Sequence, residues 1–233
     1  MITSVNNPLI KSTAKLQQKK VRDESNTYII EGEHLIEEAQ KKGLIKTIFT
    51  TNDKTKYKEA VLLSPHVMKK ITDTKHVPPF AAIVYKHEAK HIGPQVLILE
   101  QIQDPGNLGT LLRSALAFNF TTVILDDCVD LYNPKVLRAA QGAHFHLNIL
   151  TQSFETFKHN QPHSIIATGL KGTTLKPHKS PYALVLGNEG HGLKPQTLNQ
   201  ADSIITIPIQ HIDSLNVAIA GSIIMHSLSQ NEL

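Results

Sequence analysis

The first third of the chain alternates short apolar runs with amphipathic segments. Asn7-Pro8 offers a capping side chain and a proline for the first helical position, so a helix is predicted from there to about Arg22. The other predicted strands and helices follow in turn, namely strands at 28–30, 44–50 and 80–85, and helices at 33–42 and from Ser64-Pro65 onward. This alternation is typical of a small, layered α/β fold.

After residue 94 the pattern changes to five short and almost continuous apolar runs. These runs are 96–99, 123–125, 165–167, 183–186 and 204–207. Such runs fit strands of a parallel sheet that is buried on both faces. Helices are predicted at 108–118, 134–141 and 215–228. The polar stretch 87–94 reads as a linker, so the prediction is two α/β domains, 1–94 and 95–233.

Composition narrows the class of protein. With 233 residues, 40% of them hydrophobic and 19% charged, the chain has enough apolar material for a folded core. Its single cysteine, Cys128, excludes an internal disulfide framework and CxxC-type metal sites, which suits a reducing compartment. The sequence has no charged-then-apolar leader, and its longest apolar stretch, 217–225, is too short to cross a bilayer. We therefore expect a cytoplasmic protein without a membrane partner.

The charge is concentrated in the front part of the chain. Residues 1–94 hold 16 Lys+Arg and 10 Asp+Glu, a balance of +6, whereas residues 95–233 hold 8 and 10, a balance of −2. The first 22 residues contain five basic side chains and no acid, and these candidates for binding a polyanion such as RNA are Lys11, Lys15, Lys19, Lys20 and Arg22. A basic region of this kind favours a polyanionic partner. A lysine-rich solvated surface is the alternative explanation.

The first candidate motif is Asp104-Pro105-Gly106-Asn107-Leu108-Gly109, with Arg113 four residues later. A strand leads into a tight turn and then a helix whose free N–H groups favour an anion. On a helical wheel Arg113 lies opposite the apolar stripe, beside Gly109, which we expect to leave space above the helix start. Arg113 could then reach a phosphate or a sugar. The alternative is an ordinary solvated arginine.

The second motif is the glycine-rich segment Leu186-Gly187-Asn188-Glu189-Gly190-His191-Gly192 after an apolar strand. Three glycines in six residues allow the backbone to approach a ligand closely. The spacing GxxGxG differs from the dinucleotide fingerprint GxGxxG, so the motif alone is weak evidence. Glu189 at its centre is a candidate hook for a substrate hydroxyl or an arginine.

The third motif joins Ile207-Pro208 to Asp213-Ser214-Leu215-Asn216, where an apolar helix begins. A helix with almost no polar face should be buried, and a second subunit is one candidate for covering it. Asn216 then needs hydrogen-bond partners. Ser214 and Asn216 are candidates to face a ligand, although Ser214 could instead be a simple N-cap.

No metal site is expected, despite thirteen histidines. His144 and His146 would share one face of a strand, but no third ligand has a suitable spacing. The sequence also contains neither a Gly-x-Ser-x-Gly elbow nor a P-loop.

Together and in this order, the three motifs resemble the SpoU family of RNA 2′-O-ribose methyltransferases, within the SPOUT superfamily. The resemblance covers about residues 95–228. Ile30-Glu31-Gly32 before a helix resembles the ribosomal protein L30e-like substrate-binding domain that often precedes this catalytic domain.

The resemblance implies a fold, a cofactor and partners. The methyl donor would be S-adenosylmethionine, the C-terminal part would form a deep trefoil knot, and the protein would act on RNA as a homodimer. Physics alone would have predicted the unknotted topology, because knots are nearly absent from proteins. Ribosomal RNA is the favoured substrate, since a front domain of this sort is common among family members that act on it.

The resemblance also implies residue roles. Arg113, Asn107, Glu189, Ser214 and Asn216 would form the catalytic set. The donor would be held by five further residues, namely Leu186, Gly187, Ile207, Leu215 and Thr168. Two positions depart from the family pattern: Asn119 stands where glycine is usual, and Gln210-His211 stands where small residues are common.

Three alternatives remain at this point. The substrate could be transfer RNA, the protein could be an RNA-binding module that keeps the fold without catalysis, or the chain could be an unrelated α/β enzyme with a nucleotide cofactor. The missing dinucleotide fingerprint disfavours the last of these.

Overall fold

The chain divides into two compact units, Met1–His87 and Glu88–Leu233, at the start of the expected linker. The structure, a computed structural model, describes residues 1–87, 89, 91–174 and 180–230. Glu88 and Lys90 of the expected linker lie outside the described residues.

The first unit is built on a mixed four-stranded sheet of order β1-β4-β2-β3. Its helices are α1 (Pro8–Lys15), α2 (Lys19–Ser25), α3 (Glu33–Lys41) and α4 (Pro65–Ile71), and its strands are β1 (Thr27–Glu31), β2 (Ile45–Thr50), β3 (Val61–Leu62) and β4 (Phe80–Tyr85). Ala81 and Ile83 of β4 belong to a core shared with α1 and α4. Ala82 and Val84, which point the other way, are also fully buried, so both faces of this strand are covered.

The single helix expected to reach Arg22 is two helices, because the chain turns at residues 16–18. Leu16 forms the C-cap of α1, whose last carbonyls need donors. The Arg22 guanidinium donates to the carbonyl oxygens of Leu16 and Gln17, both at 2.8 Å. Arg22 is only 5% exposed. The prediction that Arg22 binds RNA was therefore wrong, because its guanidinium is buried and donates to carbonyls at the end of a helix.

The second unit is a parallel six-stranded sheet of order β10-β8-β9-β5-β6-β7, which confirms the expected α/β class. Its strands are β5 (Gln95–Glu100), β6 (Thr122–Asp126), β7 (Asn148–Thr151), β8 (Ser164–Thr174), β9 (Tyr182–Leu186) and β10 (Ser203–Thr206). Its α-helices are α5 (Pro105–Ala117), α6 (Pro134–Ala140), α7 (Phe154–Asn160), α8 (Pro195–Asn199) and α9 (Val217–Ser229). Strands β5, β6 and β9 are buried along their whole length, as central strands of a two-sided sheet should be.

Two expectations about local structure were wrong. His144 and His146 do not share a strand face, because Ala143–Phe145 forms a 3₁₀ turn that buries His144 and leaves His146 exposed. Gly109 does not leave open space either. It is buried, and a Cβ there would lie 2.6 Å from the carbonyl oxygen of Val136, so the glycine serves the close approach of α5 and α6.

Within the part of the chain that the structure describes, no helix has both the length and the apolar character needed to cross a bilayer.

Candidate functional site

A cavity of about 480 Å³ lies at the carboxyl ends of β9 and β10 and beside the middle of β8. This is where open parallel sheets bind ligands. Three segments line it: residues 168–170 within β8, the glycine-rich loop after β9 and the segment between β10 and α9. All five residues expected to hold a cofactor contribute to the wall, together with Glu189 and Ser214; the five are Thr168, Leu186, Gly187, Ile207 and Leu215.

The glycine-rich loop is shaped by Asn188 rather than by its glycines alone. The Asn188 side-chain oxygen accepts the backbone N–H groups of Gly190 at 2.8 Å and His191 at 3.1 Å. The backbones of Asn188 and Gly192 exchange two further hydrogen bonds. Asn188 and the cavity-lining Asp213 were not among the expected site residues. The signal for both was their position beside a named motif residue.

Gly187 is required by the fold of this loop. A Cβ at Gly187 would lie 2.4 Å from the backbone carbon of Gly192 and 2.5 Å from the Leu193 nitrogen. Two backbone segments therefore pass each other at a distance that no side chain permits. The loop can present its backbone to the cavity because of this contact.

A chain of three polar side chains joins the three motifs at the edge of the cavity. The Asn216 Nδ2 donates to the Asn107 Oδ1 at 2.9 Å, and the Asn107 Nδ2 donates to the Glu189 Oε1 at 3.0 Å. Asn107 and Asn216 lie outside the cavity wall but hold the one carboxylate that the loop contributes to it.

Both asparagines are also fixed by their helix ends. Asp104 is the N-cap of α5 and accepts the N–H of Asn107 at 2.8 Å. Asn216 is the N-cap of α9 and accepts the N–H groups of Ala218 and Ile219. The alternative in which Ser214 caps this helix is thus excluded, and Ser214 is free to face the cavity.

Helices α5 and α9 pack along one stripe that continues from this network. The Ser114 hydroxyl donates to Ser222 at 2.7 Å, since Ser222 gives its own proton to the carbonyl of Ala218. Gly221 allows the close approach, because a Cβ there would lie 2.6 Å from the Leu111 side chain.

Arg113 lies on the outer face of α5, outside the cavity of its own chain. On a helical wheel it shares the solvent-exposed side with Gly106, Thr110 and Ala117, whereas the stripe toward α9 carries Asn107. It is six residues beyond Asn107, roughly 9 Å along the helix axis. The fold thus unites four of the five expected catalytic residues, and Arg113 is the exception.

Asn119 and His211, two of the positions that depart from the family pattern, both have a left-handed backbone conformation. Asn119 ends α5 with φ = +64°, a left-handed conformation that glycine adopts freely and that asparagine tolerates. His211 has φ = +67° in the exposed segment between the cavity residues Ile209 and Asp213.

Titratable groups elsewhere in this unit do not suggest nucleophilic or metal chemistry. Burial raises the pKa of the Cys128 thiol to about 12, which keeps it protonated. Burial lowers the pKa of His144 to about 3, which keeps the ring neutral. Among the described residues, no group of three or more His, Cys, Asp or Glu side chains is placed to hold a metal ion.

The expected basic residues of the first unit divide into two kinds. Lys11, Lys15, Lys19 and Lys20 are exposed on or beside α1 and α2. The Lys20 Nζ lies 3.9 Å from the Glu24 Oε1 in a solvent-exposed ion pair, which contributes little to stability. Arg22 is buried, as described above.

Models of known protein families match both units of the chain. Residues 94–226 match the SpoU rRNA Methylase family, and residues 7–82 match the MRM3-like substrate binding domain. The 23S rRNA (guanosine(2553)-2′-O)-methyltransferase RlmP of Bacillus subtilis is 35% identical over 248 residues, covering 97% of this chain and 98% of the relative. The human mitochondrial rRNA methyltransferase 3 is 26% identical over 290 residues, covering 90% of this chain and 69% of the relative.

The fold agrees with a solved structure. The crystal structure of an AdoMet-bound rRNA methyltransferase from Sinorhizobium meliloti matches with a TM-score of 0.87 and 29% identity, covering 100% of this chain and 98% of that one. The family model spans more than half of the chain, and the three motifs meet in one place. This chain belongs to the SpoU rRNA methylase family.

Proposed function

We propose that the protein transfers a methyl group from S-adenosylmethionine to a ribose 2′-hydroxyl of ribosomal RNA. The observation that carries this proposal is the convergence of three distant motifs on one cavity, linked by the Asn216–Asn107–Glu189 network. Membership of the SpoU family supports it, as do relatives whose names specify ribosomal RNA methylation.

The cavity suits the donor in size and surface. Its volume of about 480 Å³ lies within the range of roughly 300–1,000 Å³ that is usual for small-molecule sites. Leu186, Ile207 and Leu215 supply apolar walls, and the glycine-rich loop supplies backbone polar groups. S-adenosylmethionine, when bound, supplies an electrophilic methyl group. We assign its binding to the loops around Gly187, Ile207 and Leu215, with Thr168 at the edge.

The catalytic residues act by alignment and charge. Alignment of reacting groups can contribute roughly 7–11 kcal/mol to a displacement reaction. Asn107 and Asn216 hold Glu189 at the cavity, where its carboxylate can orient a ribose hydroxyl. Arg113 stays cationic, because a guanidinium does not give up its proton in proteins. It binds the adjacent phosphate and stabilises the developing alkoxide, and Ser214 or water takes the hydroxyl proton to solvent.

This role for Arg113 requires a second copy of the chain, so we propose a homodimer formed through α5 and α9. The outer side of these helices exposes large apolar side chains: Ile219 is 54% exposed, Ile223 43% and Leu116 39%. Apolar side chains grouped in this way are typical of an interface. In a two-fold dimer each surface meets itself, so Arg113 of one protomer can reach the cavity of the other.

We propose that the two units have separate roles. The front unit, which we take to be ribosomal protein L30e-like, binds RNA through Lys11, Lys15, Lys19 and Lys20. The back unit binds the donor and transfers the methyl group. We place the work in the cytoplasm, and cell fractionation would test that location.

We also propose that the C-terminal stretch is threaded into a trefoil knot. The glycine-rich loop, the end of β10 and the start of α9 all converge on the cavity, which is consistent with threading there. Pulling the chain from both ends in a single-molecule experiment should leave a segment that does not extend. Extension to the full contour length would contradict the knot.

Two experiments test the function. Calorimetry should detect binding of S-adenosylmethionine to the full chain; RNA binding without donor binding would favour the non-catalytic alternative. Mapping of ribose methylation in total RNA from a strain lacking the protein should show loss of one site in ribosomal RNA. The 23S guanosine named for the Bacillus relative is the first position to inspect. Loss of a transfer RNA site instead would change the substrate, and no change would contradict the activity.

A further inference from the structure

Glu100 is a buried carboxylate at the carboxyl end of the central strand β5. It is 1% exposed, and it does not line the cavity. Its Oε1 accepts the backbone N–H of Lys194 at 2.7 Å, and its Oε2 accepts the Thr197 hydroxyl at 2.5 Å. A carboxylate is costly to bury unless such donors satisfy it, so the pairing of Glu100 with this segment is specific.

The residues that Glu100 holds follow directly on the glycine-rich loop. Lys194 is the N-cap of α8, and Thr197 is fully buried within that short helix. The other end of the loop is tied to the same place, because the Asn188 Nδ2 donates to the carbonyl of Gln101 at 2.9 Å. Both ends of the loop are therefore fixed to residues 100 and 101.

A second carboxylate strengthens this anchor. Asp126 ends β6 directly beside Glu100 in the parallel register. The Lys194 ammonium lies 3.6 Å from the Asp126 Oδ2 and 3.9 Å from the Glu100 Oε2. One lysine thus bridges two strand ends, and its backbone and side chain both tie the loop to the sheet.

The loop needs an external anchor of this kind. Three of the residues from Gly187 to Gly192 are glycines, which have the largest conformational freedom to lose. A loop that is ordered before a ligand arrives does not spend binding free energy on ordering.

We propose that Glu100 is a positioning residue for donor binding, acting through Lys194 and Thr197 to preorganise the glycine-rich loop. The inference rests on the proposed function, because the ligand of that loop is taken to be S-adenosylmethionine. Loss of the anchor then weakens donor affinity, whereas Glu189 on the same loop keeps its hydrogen bond from the Asn107 Nδ2.

The test compares hydroxyl-deleting substitutions in the full-length protein. Thr197→Val removes the donor to Glu100 and keeps the shape, whereas Thr197→Ser keeps a hydroxyl. Thr122→Val is the matched control, since Thr122 of β6 is equally buried in the same unit but its oxygen accepts the N–H of Gly93 instead. Glu100→Gln tests the negative charge of the carboxylate, because the substitution removes it. Thr197→Val remains informative if Glu100→Gln does not fold.

Calorimetric Kd for S-adenosylmethionine is the primary readout, and KM and kcat are measured on RNA. We expect Thr197→Val to raise the donor Kd and KM about tenfold with kcat at saturating donor within about twofold. Thr197→Ser should restore the affinity, and Thr122→Val should leave it unchanged. An effect that is only structural would lower the active fraction, hence kcat, without moving KM.

The two hypotheses fail in different ways. If the wild-type protein does not bind S-adenosylmethionine, the proposed function fails and this inference with it. If the wild-type protein binds the donor and Thr197→Val binds it equally well, only the positioning role of Glu100 is overturned. An equal loss of affinity in Thr122→Val would also overturn it, because the effect would then be general destabilisation.

Discussion

Asn107 and Asn216 stand 109 positions apart in sequence, yet their side-chain amides share a hydrogen bond of 2.9 Å. Every other polar atom of the two side-chain amides also has a hydrogen-bond partner. The Asn216 oxygen caps α9, and the Asn107 nitrogen donates to Glu189. This arrangement accepts only an amide at position 107, which must receive one hydrogen bond and give another to a carboxylate.

Asn107→Asp should therefore inactivate the enzyme without unfolding it. The new carboxylate cannot donate to Glu189 and adds a like charge 3.0 Å from it. We expect the methylation rate to fall by about 100-fold or more. Asn199→Asp adds the same charge on an exposed residue of this unit and should retain activity. Equal rates for Asn107→Asp and the wild type would contradict the network's role.

Gly187→Ala should weaken donor binding strongly. The added methyl group would meet the backbone of Gly192 and Leu193 at about 2.5 Å, so the loop has to move away from its position. Gly190→Ala is the comparison, since a Cβ there meets only the Asn188 oxygen at 3.5 Å. Calorimetry with S-adenosylmethionine should show a loss of about 100-fold for the first variant and a much smaller loss for the second. Similar affinities for both would contradict this account of the loop.

Charging the α9 surface should separate the proposed dimer. Ile219→Asp combined with Ile223→Asp places two carboxylates in the expected interface, so light scattering should report a monomer where the wild type is a dimer. Val77→Asp is the control, since Val77 is a 37% exposed apolar residue of the other unit. A wild-type protein that is monomeric at all concentrations would refute the proposed assembly.

Mixing two inactive variants tests whether Arg113 acts across the dimer. A heterodimer of Arg113→Ala and Asn107→Asp contains one site with both native residues if the arginine comes from the partner. Random exchange should then restore about one quarter of the sites. No recovery would mean that Arg113 serves its own chain. Arg113→Lys should remain slow at neutral pH, because an ammonium lacks the guanidinium fork.

Acid should destabilise the second unit through His144. Its pKa is about 3 in the folded state, lowered by burial and then by His146, against an ordinary value of 6.5. As the pH falls, the unfolded chain therefore binds a proton at His144 that the folded chain does not bind. The contribution of His144 to the unfolding free energy is fully present above pH 6.5 and is lost as the pH falls, at up to about 1.4 kcal/mol per pH unit.

The difference between variants isolates this group from the other histidines. Between pH 6.5 and 5, the unfolding free energy of His144→Gln should depend less steeply on pH than that of the wild type. Thr151→Ser, at an exposed position without a titratable group, should keep the wild-type slope. Identical slopes for all three proteins would show that His144 is not excluded from protonation.

The front-unit lysines and Arg22 should have separable effects. Replacing Lys11, Lys15, Lys19 and Lys20 by glutamine should weaken RNA binding. It should also reduce the slope of log Kd against log salt concentration by up to about 3. Arg22→Gln should instead lower the unfolding free energy by about 2 kcal/mol, because two helix-end carbonyls lose a charged donor. An unchanged salt dependence in the four-lysine variant would place the RNA contact elsewhere.

Much of the fold could be predicted from local patterns. The apolar runs located β5, β6 and β9 to within one or two residues, and strand 80–85 was predicted at its observed bounds, because buried strands consist of unbroken apolar residues. The short elements α7, α8 and β7 were missed, since segments of only 7, 5 and 4 residues are too short to show a clear period.

The sequence by itself determined the α/β class, the motifs and the family, because apolar periodicity and motif chemistry are local properties of the chain. Only the tertiary structure decided which of those residues meet. It turned Arg22 inward onto a helix end and put Arg113 on the outer face of α5, since a charged side chain reads the same in sequence whether it is buried or exposed. It also gave Glu100 its partners, because hydrogen bonds between residues nearly one hundred positions apart exist only once the parallel strands have brought their ends together.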